Sequence, residues 1–141
     1  MAGGDRNFHW WFLMVGLAQS AMNLADVEWA GRLYDLIAPY ADHNCRGGQA
    51  TFLGAASMQL GALSLLLERG EAAVRHLESA LARHHEMGAW PFAAMTEHLL
   101  AAALRTPGAH HDEARADLLE DAASATAEKL GVPRTVSPPP R

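Results

Sequence analysis

Apolar residues recur along this chain at helical spacing, and the pattern is clearest over residues 59–92, QLGALSLLLERGEAAVRHLESALARHHEMGAWPF. Leu60, Leu63 and Leu67 precede the short segment Glu68-Arg69-Gly70, and Ala73, Leu77, Ala80 and Leu81 follow it. Steps of three and four residues return side chains to one face of a helix. The stretch therefore predicts a helix, a turn, a second helix and the start of a third.

The flanking chain reads the same way. Residues 1–6 carry no apolar anchor beyond Met1 and are expected to be disordered. Asn7 is a plausible cap for a first helix reaching about Leu24, and Asp26 for a second helix from Val27 to about Ala38, where Pro39 ends or kinks it. Residues 40–48 are rich in turn formers and read as the longest internal loop. A third helix is expected from about Ala50 to Leu67, apolar on both broad faces and so central. A fourth runs from Glu71 to Met87, and Gly88 suits its left-handed end. Pro91 suits the first turn of a fifth helix, which continues to about Arg105. Thr106-Pro107-Gly108 breaks the chain before a sixth helix from Asp112 to Leu130, whose apolar face reads as Ala114, Leu118, Ala122 and Ala125. Gly131 caps it, and the proline-rich residues 132–141 are expected to be extended or disordered.

The hairpin pattern repeats. Leu60-Gly61 with Ala73, Leu77 and Ala80 corresponds, forty-three residues earlier, to Leu17-Ala18 with Ala30, Tyr34 and Ile37. Later it corresponds to Leu100-Ala101 with Ala114, Leu118 and Asp121, at a spacing of forty to forty-one. Small residues at these positions let neighbouring helices approach closely, and a larger side chain fills the wedge between them. The expected fold is all-α, with three antiparallel helical hairpins at about 7–38, 50–87 and 91–130 forming one domain over residues 7–131.

The Leu60-Gly61 pair followed by Ala73 and Ala80 resembles the tetratricopeptide repeat (TPR), although Ser57 and Ser64 stand where that family carries large aromatics. The period also exceeds the family's usual length of about 34 residues. Residues 33–44 and 76–96 look more like the degenerate C-terminal repeats of bacterial LuxR-type transcriptional regulators and adenylate or guanylate cyclase ATPases. The resemblance implies a short right-handed TPR-like superhelix acting as a protein–protein interaction or regulatory module in bacterial signalling or transcriptional regulation, a fragment or relative of such an arm. It also implies a concave groove lined by Phe12, Val15, Gln19, Met22 and Asn23, by Ala55, Met58, Ala62, Leu65 and Leu66, and by Met95, His98, Ala102 and Arg105. Such a groove would be apolar and rich in methionine, suited to an amphipathic helix or extended peptide. Its occupant could equally be the missing parent ATPase domains or a second copy of the chain. The competing reading is a small-molecule sensor, with its ligand between helices one, three and five.

Composition sharpens this picture by exclusion. Ala is abundant and aromatics make up only 7% of the chain, which favours closely packed helices over sheet. A formal net charge of −5 with acids and bases interspersed provides no sustained positive face, so direct nucleic-acid binding is not expected. The run Trp10 to Ala18 after Arg6 resembles a secretory leader, but the apolar pattern continues through Ala21, Met22 and Leu24 in the repeat register. A cytoplasmic protein without a membrane span is expected.

Candidate chemistry is sparse. His84-His85 and His110-His111, with Asp112 and Glu113, invite a metal, yet adjacent histidines on a helix diverge by about 100°. Glu97-His98 diverges in the same way. Ser20, Ser57 and Ser79 lack the flanking glycines of a nucleophile elbow. Cys45, the single cysteine, lies beside Arg46 and near His43, a setting that could lower its pKa. Neither catalysis nor a cofactor or metal is expected from this sequence.

Overall fold

The computed structural model describes residues 8–47, 51–106 and 111–131, and within them the protein is built mainly of six helices. These are α1 (Phe8–Leu24), α2 (Val27–Ile37), α3 (Ala56–Leu66), α4 (Gly70–Glu86), α5 (Trp90–Leu104) and α6 (Glu113–Leu130). A 3-10 turn, Ala38–Tyr40, follows α2, and strands β1 (Asn44–Gly47) and β2 (Thr51–Ala55) precede α3. Asn7, the expected disordered ends at 1–6 and 132–141, and residues 48–50 and 107–110 lie outside the described residues.

Several ends form as the local sequence dictates. Asp26 accepts from the Trp29 amide at 3.1 Å, and Asp112 accepts from the Arg115 amide at 2.9 Å. Gly88 and Gly131 both take φ +66°, left-handed positions just beyond α4 and α6. The turn between α3 and α4 differs from expectation: Glu68 carries the positive φ of 57°, while Gly70 is buried as the first residue of α4.

A larger correction concerns the approach to α3, which was expected to be helical from Ala50. Thr51–Ala55 is instead a strand, paired antiparallel with Asn44–Gly47 across a bulge between Asn44 and Arg46. Gly54 explains the interruption, because its φ of +93° lies far from helical values. A Cβ there would also fall 2.8 Å from Met58 Cε and 3.2 Å from the Phe92 ring, so the hairpin seats against α5 only because this side chain is absent.

All eleven residues of α3 are buried, including Ser57, Gln59 and Ser64. A helix apolar on every side must be enclosed on every side, and α3 divides the core in two. Leu60, Leu63 and Leu66 pack with Trp11, Met14, Ala18, Ala30, Leu33 and Ile37 of α1 and α2. Met58, Ala62 and Leu65 face Met22, Leu77, Ala80, Leu99 and Leu104. Each helix packs on its successor, and α3 also touches both α1 and α5.

The third hairpin corrects the expected register. Ala114, Leu118, Asp121, Ala122 and Ala125 are exposed, Leu118 at 70%, whereas Ala116 and Ala123 are buried. Ala116 and Ala123 lie forty-three residues after Ala73 and Ala80, which themselves lie forty-three after Ala30 and Ile37, and all six are buried. The second helix of each hairpin thus keeps one period, with the extra residues taken up in the α5–α6 connection. Leu119 also packs against the core from this face of α6. Glu113, Asp117 and Glu120 flank the alanine seam, and docking on Ala116 and Ala123 brings them to Arg105 and His98. A seam built on Leu118 would turn those acids away from their partners.

The two registers make opposite predictions. Leu118→Glu should leave urea-unfolding stability within about 0.5 kcal/mol of wild type, as for other open surface positions. Ala116→Leu should lower it by about 1–3 kcal/mol through overpacking. A costly Leu118→Glu together with a neutral Ala116→Leu would restore the register expected from sequence.

Candidate functional site

The residues expected to line a groove separate into three groups. Met22, Met58, Ala62 and Leu65 are buried in one core cluster with Leu99, with Met95 and Ala102 packed partly buried against it. The middle of the expected groove is therefore filled by the chain itself. This corrects the expectation that Met58 and Leu65 offer a surface, since they are needed to hold α3 against its neighbours. Phe12 and Gln19 are exposed and Val15 is half-buried, with the Gln19 amide donating to Asn23 at 3.1 Å.

His98 and Arg105 form a third group, engaged in an ionic latch between α5 and α6. Arg105 Nε meets Glu113 at 2.7 Å, one terminal nitrogen meets Asp117 at 2.7 Å, and the other lies 3.7 Å from Glu120. His98 Nδ1 lies 2.9 Å from Glu120. The first and strongest cause that raises the Arg105 pKa is its hydrogen bond to Glu113. These two groove candidates thus serve the attachment of α6.

An internal polar network centres on His84, which has no exposed surface. Its Nε2 accepts from the Ala55 amide at 3.0 Å. Nδ1 therefore carries the proton and donates to Thr96 Oγ1 at 3.0 Å, and the Thr96 hydroxyl donates to the Phe92 carbonyl at 2.7 Å. Phe52 and Phe92 stand against the ring. No side chain caps the start of α3, so His84 takes the Ala55 amide while the His43 carbonyl takes that of Ala56 at 2.9 Å. Burial pushes the His84 pKa down to about 4, opposed by the Phe92 carbonyl and reinforced by His85 and Arg83. This imidazole is a structural pin that joins β2, α4 and α5.

Glu97 is a second buried polar group. Its side chain is 8% exposed, Oε1 lies 3.5 Å from His85 Nε2, and Oε2 is buried with no hydrogen-bond partner. Burial raises its pKa, and the His85 hydrogen bond and charge partly offset that rise. Trp90 leans over His85 with ring centroids 5.7 Å apart. Glu97 and His98, which diverge on their helix, take separate partners, Glu97 with His85 and His98 with Glu120, each across two helices. Sequence reasoning missed these pairings because they depend on helix rotation, for which neighbouring positions hold no signal.

The remaining candidates resolve by burial. Cys45 is enclosed, and desolvation pushes its pKa up to about 12, opposite to the lowering that Arg46 and His43 suggested. His84 points inward and His85 outward, while His110 lies outside the described residues. Among the described residues, no group of three His, Cys, Asp or Glu side chains could hold a metal ion, and no helix is long and apolar enough to cross a membrane.

Two surface clefts are lined by described residues. One, of about 510 Å³, lies between α4 and the start of α6, with Val74 and Leu104 among its lining and Glu71, Arg75, Glu78, Asp112 and Arg115 supplying both signs of charge. Arg115 and Glu78 pair across it at 2.8 Å. The other, of about 320 Å³, is apolar and lies between α1 and α2, bordered by Leu17, Ser20, Leu24, Trp29 and Leu33.

The His84 pin predicts a specific pH dependence. An unfolded histidine titrates near 6.5, so the stability contributed by neutral His84 is complete above that pH, falls toward about 4, and then levels off. The gap corresponds to about 3 kcal/mol. His76, also lowered by burial and by Arg75, adds in the same direction, and the raised pKa of Glu97 acts oppositely, favouring low pH. Urea midpoints of wild type and His84→Gln between pH 4 and 7 should converge as pH falls, and parallel curves would contradict the assignment. No protein-family model, curated protein or solved structure matches this chain.

Proposed function

We propose that this chain is a non-enzymatic, TPR-like helical-repeat module that binds a protein partner, related to the C-terminal arm of bacterial signalling ATPases or transcriptional regulators. The observation that carries the reading is the recurrence, at a constant forty-three residues, of buried Ala30, Ala73 and Ala116, and of Ile37, Ala80 and Ala123. Recurrence of one packing seam through successive hairpins is how stacked-repeat proteins are built, and such stacks present extended surfaces for partners. The non-enzymatic reading is supported by the state of the titratable groups. His84 is fully engaged within the fold, the Cys45 thiol is buried and protonated, and the His98–Glu120 pair belongs to the α5–α6 latch.

With the centre of the expected groove filled, the cleft between α4 and α6 is the surface best suited to a partner. Its apolar Val74 and Leu104 are bordered by Arg75 and Arg115 on the basic side and by Glu71, Glu78 and Asp112 on the acidic side. That chemistry fits a peptide segment with one apolar anchor flanked by charges of both signs, for which complementary charge supplies specificity.

The test is affinity capture from a bacterial lysate with the wild-type chain and with Arg75→Glu/Arg115→Glu, followed by mass spectrometry. A protein retained by wild type and lost by the variant, at equal helicity and melting temperature, is expected. Retention unaffected by the charge reversal would contradict the cleft. A metabolite that raises the melting temperature while no protein is retained would favour the sensor reading instead.

A further inference from the structure

The two ends of the helical stack are built differently. On the outer face of hairpin one, Leu13, Leu17 and Leu24 of α1 run beside Trp29 and Leu36 of α2, and the buried Leu33 forms the floor of the apolar cleft that joins the two rows. Leu24 is 77% exposed and Trp29 49%, with Leu13 and Leu36 near half. Spacings of four, seven and eleven residues in α1, and of four and seven in α2, keep each row on one side of its helix. Gly16 and Ser20, on the same side of α1, add no bulk.

The repeat shows what such a face does elsewhere in the molecule. Forty-three residues on, Leu17 and Leu24 become Leu60 and Leu67, which pack against α1 and α2. Leu67 Cδ2 reaches within 4.0 Å of the space above Gly31. In hairpin two this face therefore stacks on a preceding hairpin, whereas in hairpin one it is open. At the opposite end the outer face of α6 bears Asp117, Asp121 and Glu128 around Leu118. The α6 position corresponding to Gly31 is Asp117, already bound to Arg105. That end is a polar cap of the kind repeat arrays require for solubility, and it offers no apolar match to the open face.

We propose that two copies of this chain pair through the open face of hairpin one, α1 and α2 of one copy against α1 and α2 of the other. Head-to-tail stacking would set Leu24 and Trp29 against the acidic cap, whereas self-pairing sets leucine and tryptophan rows against their like. A tryptophan offers up to about 250 Å² and a leucine less, so Leu13, Leu24, Trp29 and Leu36 at half to three-quarters exposure leave on the order of 400 Å² of apolar surface open. Two such faces bury about 800 Å² together, the size of a weak, concentration-dependent association. A closed two-fold contact also uses both open faces and leaves none to recruit further copies. The equivalence of the faces rests on the stacked-repeat reading, but the surface is separate from the cleft between α4 and α6.

Sedimentation or size exclusion with light scattering, from low-micromolar to near-millimolar concentration, tests the pairing. Wild type should approach twice the 15.2 kDa chain mass as concentration rises, and Leu24→Glu and Trp29→Glu should each show the single mass with unchanged helicity. Leu118→Glu, on the polar cap, should remain paired. A single mass for wild type at every concentration, pairing that survives Leu24→Glu, or an open-ended series dissolved by Leu118→Glu would each overturn the proposal. Lost pairing with intact, charge-sensitive capture at the cleft would overturn only the dimer, and intact pairing without capture would overturn only the binding reading.

Discussion

Leu77 of α4 lies in the space that a side chain at residue 61 would occupy. A Cβ built on Gly61 would fall 2.6 Å from Leu77 Cδ2 and closer still to Cγ. That approach brings α4 onto the surface of α3, and both core clusters depend on it, because α3 supplies a face to each. A glycine inside a helix costs about 1 kcal/mol relative to alanine. Here that cost is offset by burial of Leu77 and by the proximity of Ala73 and Ala80 to the same helix.

Enclosing α3 has a consequence for function. The helix that would line the centre of a TPR groove is spent on the core, with Met58 and Leu65 packed among Met22 and Leu99. The sequence already held this signal in the density of apolar residues between 56 and 66, which exceeds what one buried face requires. Surfaces suited to contact therefore move outward, to the mixed-charge cleft at the third hairpin and to the apolar face of the first.

Much of the helical plan was legible from residue order. Capping at Asp26, the left-handed glycines at 88 and 131, and Pro91 at a helix start are local chemistry and appear where expected. The β-hairpin before α3 was not legible, because Ala50 to Ala55 contains nothing that forbids a helix except Gly54, whose positive φ depends on tertiary contact with Phe92. The face of α6 was misread for a related reason. The spacing of Ala114, Leu118, Ala122 and Ala125 favoured one face, while the observed face packs Ala116, Leu119 and Ala123 inward and sets three acids beside Arg105 and His98, partners in a different helix. The Glu97–His85 pair is likewise invisible until two helices are set in rotation, and it leaves one Glu97 oxygen buried without a hydrogen-bond partner.

The central claim is that close approach at Gly61 sets the position of α4 and, through it, the division of the core. A double-mutant cycle measured by urea unfolding tests it directly. Gly61→Ala in the wild-type background should destabilise by about 1–3 kcal/mol despite the better helix propensity of alanine. In a Leu77→Ala background, where the obstructing side chain is gone, the same change should be neutral or stabilising by up to about 1 kcal/mol. Equal effects of Gly61→Ala in the two backgrounds, or stabilisation in the wild type, would contradict the account.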